Sequence, residues 1–218
     1  METSKKIYKF SLYFQLALGL FFLAAFLLVF ASTFGALALL FLLWGGIRYL
    51  FAKKGKYPKL LTEQTILSTI ITILLSLYIG LSSAFIISPL KYQYPLQIRY
   101  ESHFNHPGEQ FPAKLPKGAS DYRFEAVPTI LQGQGYVVVS FHAPSDFISS
   151  ERARFCSSAI RTFKLGERYN NEVDLPYSEV FEEHPDADVY VVQAAIDQNH
   201  PHSEAVIIDG DFIAYSSL

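Results

Sequence analysis

The side chains best suited to chemistry gather in the last 130 or so residues. All six histidines lie there. His103 and His106 are three apart, His200 and His202 flank Pro201, and His184 sits among Glu182, Glu183, Asp186 and Asp188. Neutral imidazoles beside carboxylates form a donor set that suits zinc or copper. An envelope metal-binding protein or enzyme working through these His-rich loops is therefore one reading. Neither histidine pair has the spacing of a known metal motif, and each lies in a polar stretch where solvated histidine is ordinary. No metal ligand is assigned.

Other chemical signatures are missing. The chain has no Gly-x-Ser-x-Gly, no His-Glu-x-x-His, no phosphate-binding Gly-rich loop and no Cys-x-x-Cys. Gly133-Gln134-Gly135 precedes a β-rich run instead of opening a helix, so it reads as a turn. Carboxylates are too plentiful to single out a glycosidase pair. The expectation is a non-enzymatic protein with no catalytic residue and no cofactor.

Charge is more telling. The stretch Gly166–Asp188 holds Glu167, Glu172, Asp174, Glu179, Glu182, Glu183, Asp186 and Asp188 against Arg168 alone. Such a surface speeds association with a basic protein and repels nucleic acid. Glu182, Glu183, Asp186 and Asp188 are the expected partner-binding residues, with Ser102–Ser120 as a second irregular contact region.

The elements that carry these residues fall into two parts. Residues 1–88 hold eight basic and two acidic side chains, and residues 89–218 hold ten and eighteen, leaving the parts at +6 and −8. From Phe10 to Phe51 the only charge is Arg48, and Thr65–Ser88 has none. The first run would reach roughly 63 Å as one helix, about twice the hydrocarbon thickness of a bilayer. It must fold back, and Ser32-Thr33-Phe34-Gly35 is the natural break. The pattern predicts a membrane domain over 1–89 with three transmembrane helices near 10–31, 34–51 and 65–88 and a cytoplasmic loop over 52–64. An N-terminal signal peptide is the rival for the first helix. Its apolar region, Leu12–Val29, exceeds the usual 7–15 residues, so a retained span is expected.

Orientation follows from Lys and Arg. Lys5, Lys6 and Lys9 before the hairpin, and Arg48, Lys53, Lys54, Lys56 and Lys59 around its end, mark the cytoplasmic side. Tyr8, Tyr13, Trp44, Tyr49 and Tyr57 fit interfacial aromatics. The expectation is a multi-pass protein of the bacterial inner membrane, with a cytoplasmic N-terminus and a periplasmic C-terminal domain. Apart from Arg48 the helices lack ionisable groups, which argues against a pump or transporter. Ser68, Thr72, Ser76, Gly80 and Ala84 recur every four residues on the third helix. They form a helix-packing seam for the hairpin or for a second protomer in a homo-oligomer.

Residues 90–218 read as an extracytoplasmic α+β domain, a mainly antiparallel sheet with one helix. Strands are expected at Tyr122–Val127, Tyr136–Phe141, Val189–Ala195 and Ala205–Ile208. Asp209-Gly210 suits a type I′ hairpin turn before Phe212. A helix is expected near Asp146–Lys164, capped by Ser145 and Gly166, with Phe155, Cys156, Ala159, Ile160 and Phe163 on its apolar face. Cys156, the only cysteine, is expected as a buried small hydrophobe and leaves no internal disulfide. Together these features predict a membrane-anchored protein whose periplasmic domain binds another envelope protein. A specific version is an immunity protein that neutralises a membrane- or periplasm-acting toxin.

Overall fold

A computed structural model describes residues 2–55, 63, 66, 67, 70, 73, 74, 85–127, 135–170, 173–176, 178–197 and 200–218. The chain forms two compact units, Met1–Ala84 and Phe85–Leu218.

The first unit is built on a helical hairpin, α1 (Glu2–Val29) and α2 (Ser32–Lys53). Both helices are long and apolar enough to cross a membrane. The chain turns at Phe30, whose φ of 62° is left-handed, a little earlier than expected. Ser32, Thr33 and Gly35 open α2 instead of forming the loop. Gly35 is there for room: a Cβ would sit 3.1 Å from the Phe26 ring. Gly19 and Gly45 do the same along the hairpin, where a Cβ would lie 2.8 Å from the Leu42 side chain and 2.6 Å from that of Leu16. Glycine lets the two helix backbones approach. Phe22 stacks on Phe41 at 5.9 Å inside the pair. Outside, Phe10 is 74% exposed and Leu43 61%.

Arg48 is wholly buried in this hairpin. Its guanidinium donates to Gln15 Oε1 at 3.0 Å, to Ser11 Oγ at 2.6 Å and to the Tyr8 carbonyl at 3.4 Å. It also lies 4.5 Å from the centre of the Tyr8 ring, whose hydroxyl donates to the Arg48 carbonyl. Tyr8 is thus an interior residue, not the interfacial aromatic its position suggested, because it is the platform under a buried cation.

Beyond α2, Glu63, Ile66, Leu67, Ile70, Ile73 and Leu74 are helical, while the rest of the expected third span up to Ala84 lies outside the described residues. Its final residues depart from expectation. Ile86–Ser88 is a strand, β1, held by pairing with the next strand.

The second unit is a seven-stranded antiparallel sheet in the order β1-β2-β3-β7-β6-β5-β4. The other strands are β2 (Ser120–Val127), β3 (Tyr136–His142), β4 (Arg161–Lys164), β5 (Asp188–Asp197), β6 (His200–Asp209) and β7 (Phe212–Ser217). Helices α3 (Tyr94–Glu101) and α4 (Ser145–Ser158) pack on one face, through Tyr94 against Tyr122 and Phe155 against Tyr215. The other face carries Val138, Val189, Ala205, Ile207, Phe212 and Ala214, covered by Leu165, Val173 and Phe181 from the 165–187 segment. Two covered faces explain why central strands read as continuous apolar runs. Every residue of β7 is buried.

Four local expectations change. The helix stops at Ser158, and Arg161–Lys164 becomes the edge strand β4, because Phe163 buries against the sheet alongside Val189. Ser145 is its first helical residue, with no side-chain capping bond. Cys156 is exposed, and its Sγ donates to the Tyr190 hydroxyl at 3.7 Å. The β6–β7 turn is Gly210-Asp211, closed by the Asp209–Phe212 pair. Only Gly210 has positive φ, 56°. That suits a type II′ turn better than type I′, which needs positive φ at both positions.

Candidate functional site

The acidic stretch is presented by the short helix α5 (Glu179–Glu182) and the turn after it. Phe181 is buried in the core and pins α5 down, which leaves Glu179, Glu182, Glu183 and Asp186 at the surface. Asp188 differs. It belongs to β5, and its carboxylate accepts 2.6 Å hydrogen bonds from Arg152 Nη1 and Lys164 Nζ. Burial alone would raise the Asp188 carboxyl, but Lys164 and Arg152 together outweigh it and hold the group below the ordinary range. Lys164 also donates to the Asp186 carbonyl at 2.9 Å. Asp188 therefore ties α4, β4 and β5 together, and the exposed acidic surface is made by the other carboxylates.

Glu179 links that surface to a pocket of about 290 Å³ at the β1–β2 edge. Its walls include Phe85, Ile87, Val127 and Tyr136, and Glu125 and Ser178 supply the polar groups. The β1–β2 register sets Ile87 opposite Glu125, so both project to the pocket face. Glu125 is 6% exposed, and one of its oxygens, Oε2, accepts a 2.9 Å hydrogen bond from Ser178. The other, Oε1, lies against Arg123 Nε in an ion pair, but the two are not aligned as a hydrogen bond and both atoms are buried without one. Arg123 Nη2 reaches Glu179 at 3.5 Å.

A second buried carboxyl, Glu101 at the end of α3, accepts from Asn105 Nδ2 at 2.7 Å on one oxygen and has no hydrogen-bond partner on the other. Burial pushes it up to about 7, the Asn105 hydrogen bond only partly offsetting this. A third, Glu151, accepts from Tyr215 at 2.7 Å.

Two histidines, His142 and His184, come together on Phe212 at the β6–β7 turn. His184 Nδ1 lies 2.9 Å from Asp209 and its ring stacks on Phe212 at 3.9 Å. His142 pairs with Asp211 at 2.9 Å, and His202 with Glu204 at 3.5 Å. Among the described residues no three His, Cys, Asp or Glu side chains are placed to hold a metal ion. The seam residues Ser68, Thr72, Ser76, Gly80 and Ala84 lie outside the described residues.

Sequence reasoning passed over Arg123, Glu125 and Ser178. One signal was available: Arg123, Glu125 and Val127 alternate along one strand, so a charged pair faces the same way as an apolar residue. No family model, curated protein or solved structure matches this chain.

Proposed function

We propose that the chain is a non-enzymatic, membrane-anchored protein that binds a basic protein partner through its sheet domain. In this reading the apolar hairpin anchors the chain in the bacterial inner membrane with its N-terminus cytoplasmic, and the sheet domain works in the periplasm. The observation that carries it is the row of surface carboxylates, Glu179, Glu182, Glu183 and Asp186, standing on one short helix and its turn. Oriented charge of one sign steers a complementary partner and makes its association rate depend on salt. The hairpin supports the anchoring half: its outward side chains are large and apolar, a surface suited to hydrocarbon.

The test is crosslinking and recovery of the partner from intact membranes. A Glu182→Gln, Glu183→Gln, Asp186→Asn variant should recover several-fold less partner than the native chain. Asp188 is left native, because removing it would disturb the sheet. Equal recovery with a folded domain rejects the acidic surface as the contact. A reporter active only outside the cytoplasm, fused after Leu218, tests the orientation.

A further inference from the structure

We propose that the outward face of α3, with the loop beside it, docks on a bilayer surface rich in anionic phospholipid headgroups. This rests on the membrane-anchored reading above and adds a peripheral lipid contact to it. Helix α3 packs inside out. Its inner face carries Tyr94 and a row of satisfied polar groups: Gln97 accepts a 2.8 Å hydrogen bond from the Tyr122 hydroxyl, and Glu101 one of 2.7 Å from Asn105. Gln93, in the 3-10 turn Lys91–Gln93 that leads into the helix, accepts from Ser88 at 2.9 Å. The outer face is apolar. Tyr92 is 71% exposed and Leu96 44%, and with the exposed Pro95 and Arg99 they follow helical spacing along one side. An ordinary surface helix buries its apolar side and exposes its polar one. A reversed helix keeps its apolar side for another surface.

Charge selects the surface. Lys91 and Arg99 flank Tyr92 and Leu96, and residues 85–100 hold no Asp or Glu. Lys91 Nζ donates to the Ala119 carbonyl at 3.2 Å and the Tyr94 hydroxyl to the Pro112 carbonyl. The 112–119 loop therefore lies against α3 and brings the exposed Lys114 and Lys117 with it. Among the described residues none of these four cations has an acidic partner, whereas Arg123, Arg152, Arg154 and Lys164 of the same domain are all ion-paired. Unpaired cations around an apolar stripe suit the headgroup boundary: the stripe enters the acyl margin and the cations meet phosphate. Tyr92 fits that depth, with an apolar ring and a polar hydroxyl. A basic protein would be repelled here, so this face is distinct from the acidic one on α5. The domain starts at Phe85, directly after the apolar unit, and Lys91 follows within roughly 20 Å even if the chain is fully extended. A membrane anchor would hold this face within reach of the headgroups.

The experiment uses the full chain in vesicles of phosphatidylethanolamine and phosphatidylglycerol, with acyl-brominated lipids as quenchers of tryptophan fluorescence. Trp44, the only native tryptophan, reports the anchor. A Trp44→Phe background then takes a single probe at Leu96→Trp or Ile160→Trp. Ile160 is 65% exposed beside β4, at the opposite edge of the sheet from β1, and serves as the reference. Leu96→Trp should be quenched about threefold more than Ile160→Trp. Exchanging phosphatidylglycerol for phosphatidylcholine, or Arg99, Lys114 and Lys117 for glutamine, should lower that quenching by about half. Equal quenching at the two sites would overturn the proposal. So would quenching of Leu96→Trp that neither exchange lowers, since the face would then be apolar without choosing anionic lipid. A Leu96→Cys, Cys156→Ser chain that forms a disulfide with a second copy, while Leu96→Trp escapes lipid quenching, assigns the face to self-association and rejects docking. If native Trp44 is not quenched, the anchored reading fails and docking fails with it. If Trp44 is quenched and Leu96→Trp is not, the anchor stands and docking alone is rejected.

Discussion

The two units bury charge in opposite ways. The hairpin encloses a cation, Arg48, and surrounds it with neutral oxygens from the facing helix: Gln15, Ser11 and the Tyr8 carbonyl. The sheet domain encloses carboxylates, Glu101, Glu125 and Glu151, each less than a tenth exposed. Several acceptors gathered around one guanidinium make a cluster that sets how α1 lies along α2, with Nε alone left without a hydrogen bond. Glu101 keeps one oxygen without a hydrogen-bond partner, and Glu125 Oε1 has an ion pair with Arg123 but no aligned hydrogen bond. A buried polar atom left unpaired raises the energy of the folded state until a proton or a ligand satisfies it. The hairpin cluster is suited to holding structure, and Glu101 to taking up a proton.

The sharpest way to break this contrast is Arg48→Ala. It removes a large buried side chain and leaves Gln15 and Ser11 facing a void, for a combined cost of about 4 kcal/mol. Chemical unfolding in micelles, followed by the fluorescence of Trp44 on α2, should show it. If Arg48→Ala unfolds like the native chain, the cluster does not hold the hairpin. Arg48→Lys should be intermediate, since one ammonium cannot serve three acceptors spread along a helix.

Glu101 gives the next largest effect and probes the other side of the comparison. Its folded carboxyl is raised to about 7 from an ordinary 4.5, so the folded state holds the proton more tightly than the unfolded chain. The stability this adds is fully present below about pH 4.5, declines as pH rises, and is gone above about pH 7. The span corresponds to about 3 kcal/mol as an upper figure. Glu101→Gln keeps an oxygen for Asn105 and cannot ionise. Its thermal midpoint should stay level from pH 5 to pH 8 where the native chain's falls, and parallel curves would show that Glu101 titrates normally.

What could be read from the residues divides along the same line. The hairpin was legible because an apolar run of that length with a single charge has few folded solutions, and the break was misplaced by only a few residues. Helix starts attract the same Ser, Thr and Gly that loops do, so Ser32 and Gly35 were ambiguous. Most of the sheet was legible too, from Tyr136–Phe141 and the turn after Asp209. Short edge strands were not. Ile86–Ser88 continues an apolar run and Arg161–Lys164 continues a helical one, and three or four residues carry too little periodicity to announce a change. The site was half legible: acidic density marked α5, but no pattern said that Asp188 would be claimed by Arg152 and Lys164. Pairings across 24 and 36 residues are a product of topology.

Tyr215→Phe should cost about 2 kcal/mol, because it removes the 2.7 Å donor from the buried Glu151 carboxylate while preserving the ring that packs on Phe141 and Phe155. Arg154 remains near Glu151 at 3.5 Å and should limit the loss. Denaturant titration of the full chain reads it, and a loss below about 0.5 kcal/mol would mean that Arg154 alone satisfies this carboxylate.

Asp188→Asn should have the smallest effect on stability and separates scaffold from contact surface. The carboxylate is part-exposed and bridges two cations, so the substitution should cost about 1 kcal/mol, or roughly 4 °C in thermal midpoint for a domain of this size. The native folded carboxyl sits below its ordinary value, so this contribution is present above the unfolded pKa and is lost as pH falls through the folded one. The native chain and the Asp188→Asn variant should therefore differ at pH 7 and converge in strong acid. Raising salt should narrow the gap at pH 7, because both ion pairs are partly solvated. Partner recovery from membranes should be unchanged at a temperature where both chains are folded, since the carboxylate is spoken for within the domain. If Asp188→Asn abolishes recovery without lowering the midpoint, Asp188 belongs to the contact surface and its pairing with Arg152 and Lys164 is dispensable.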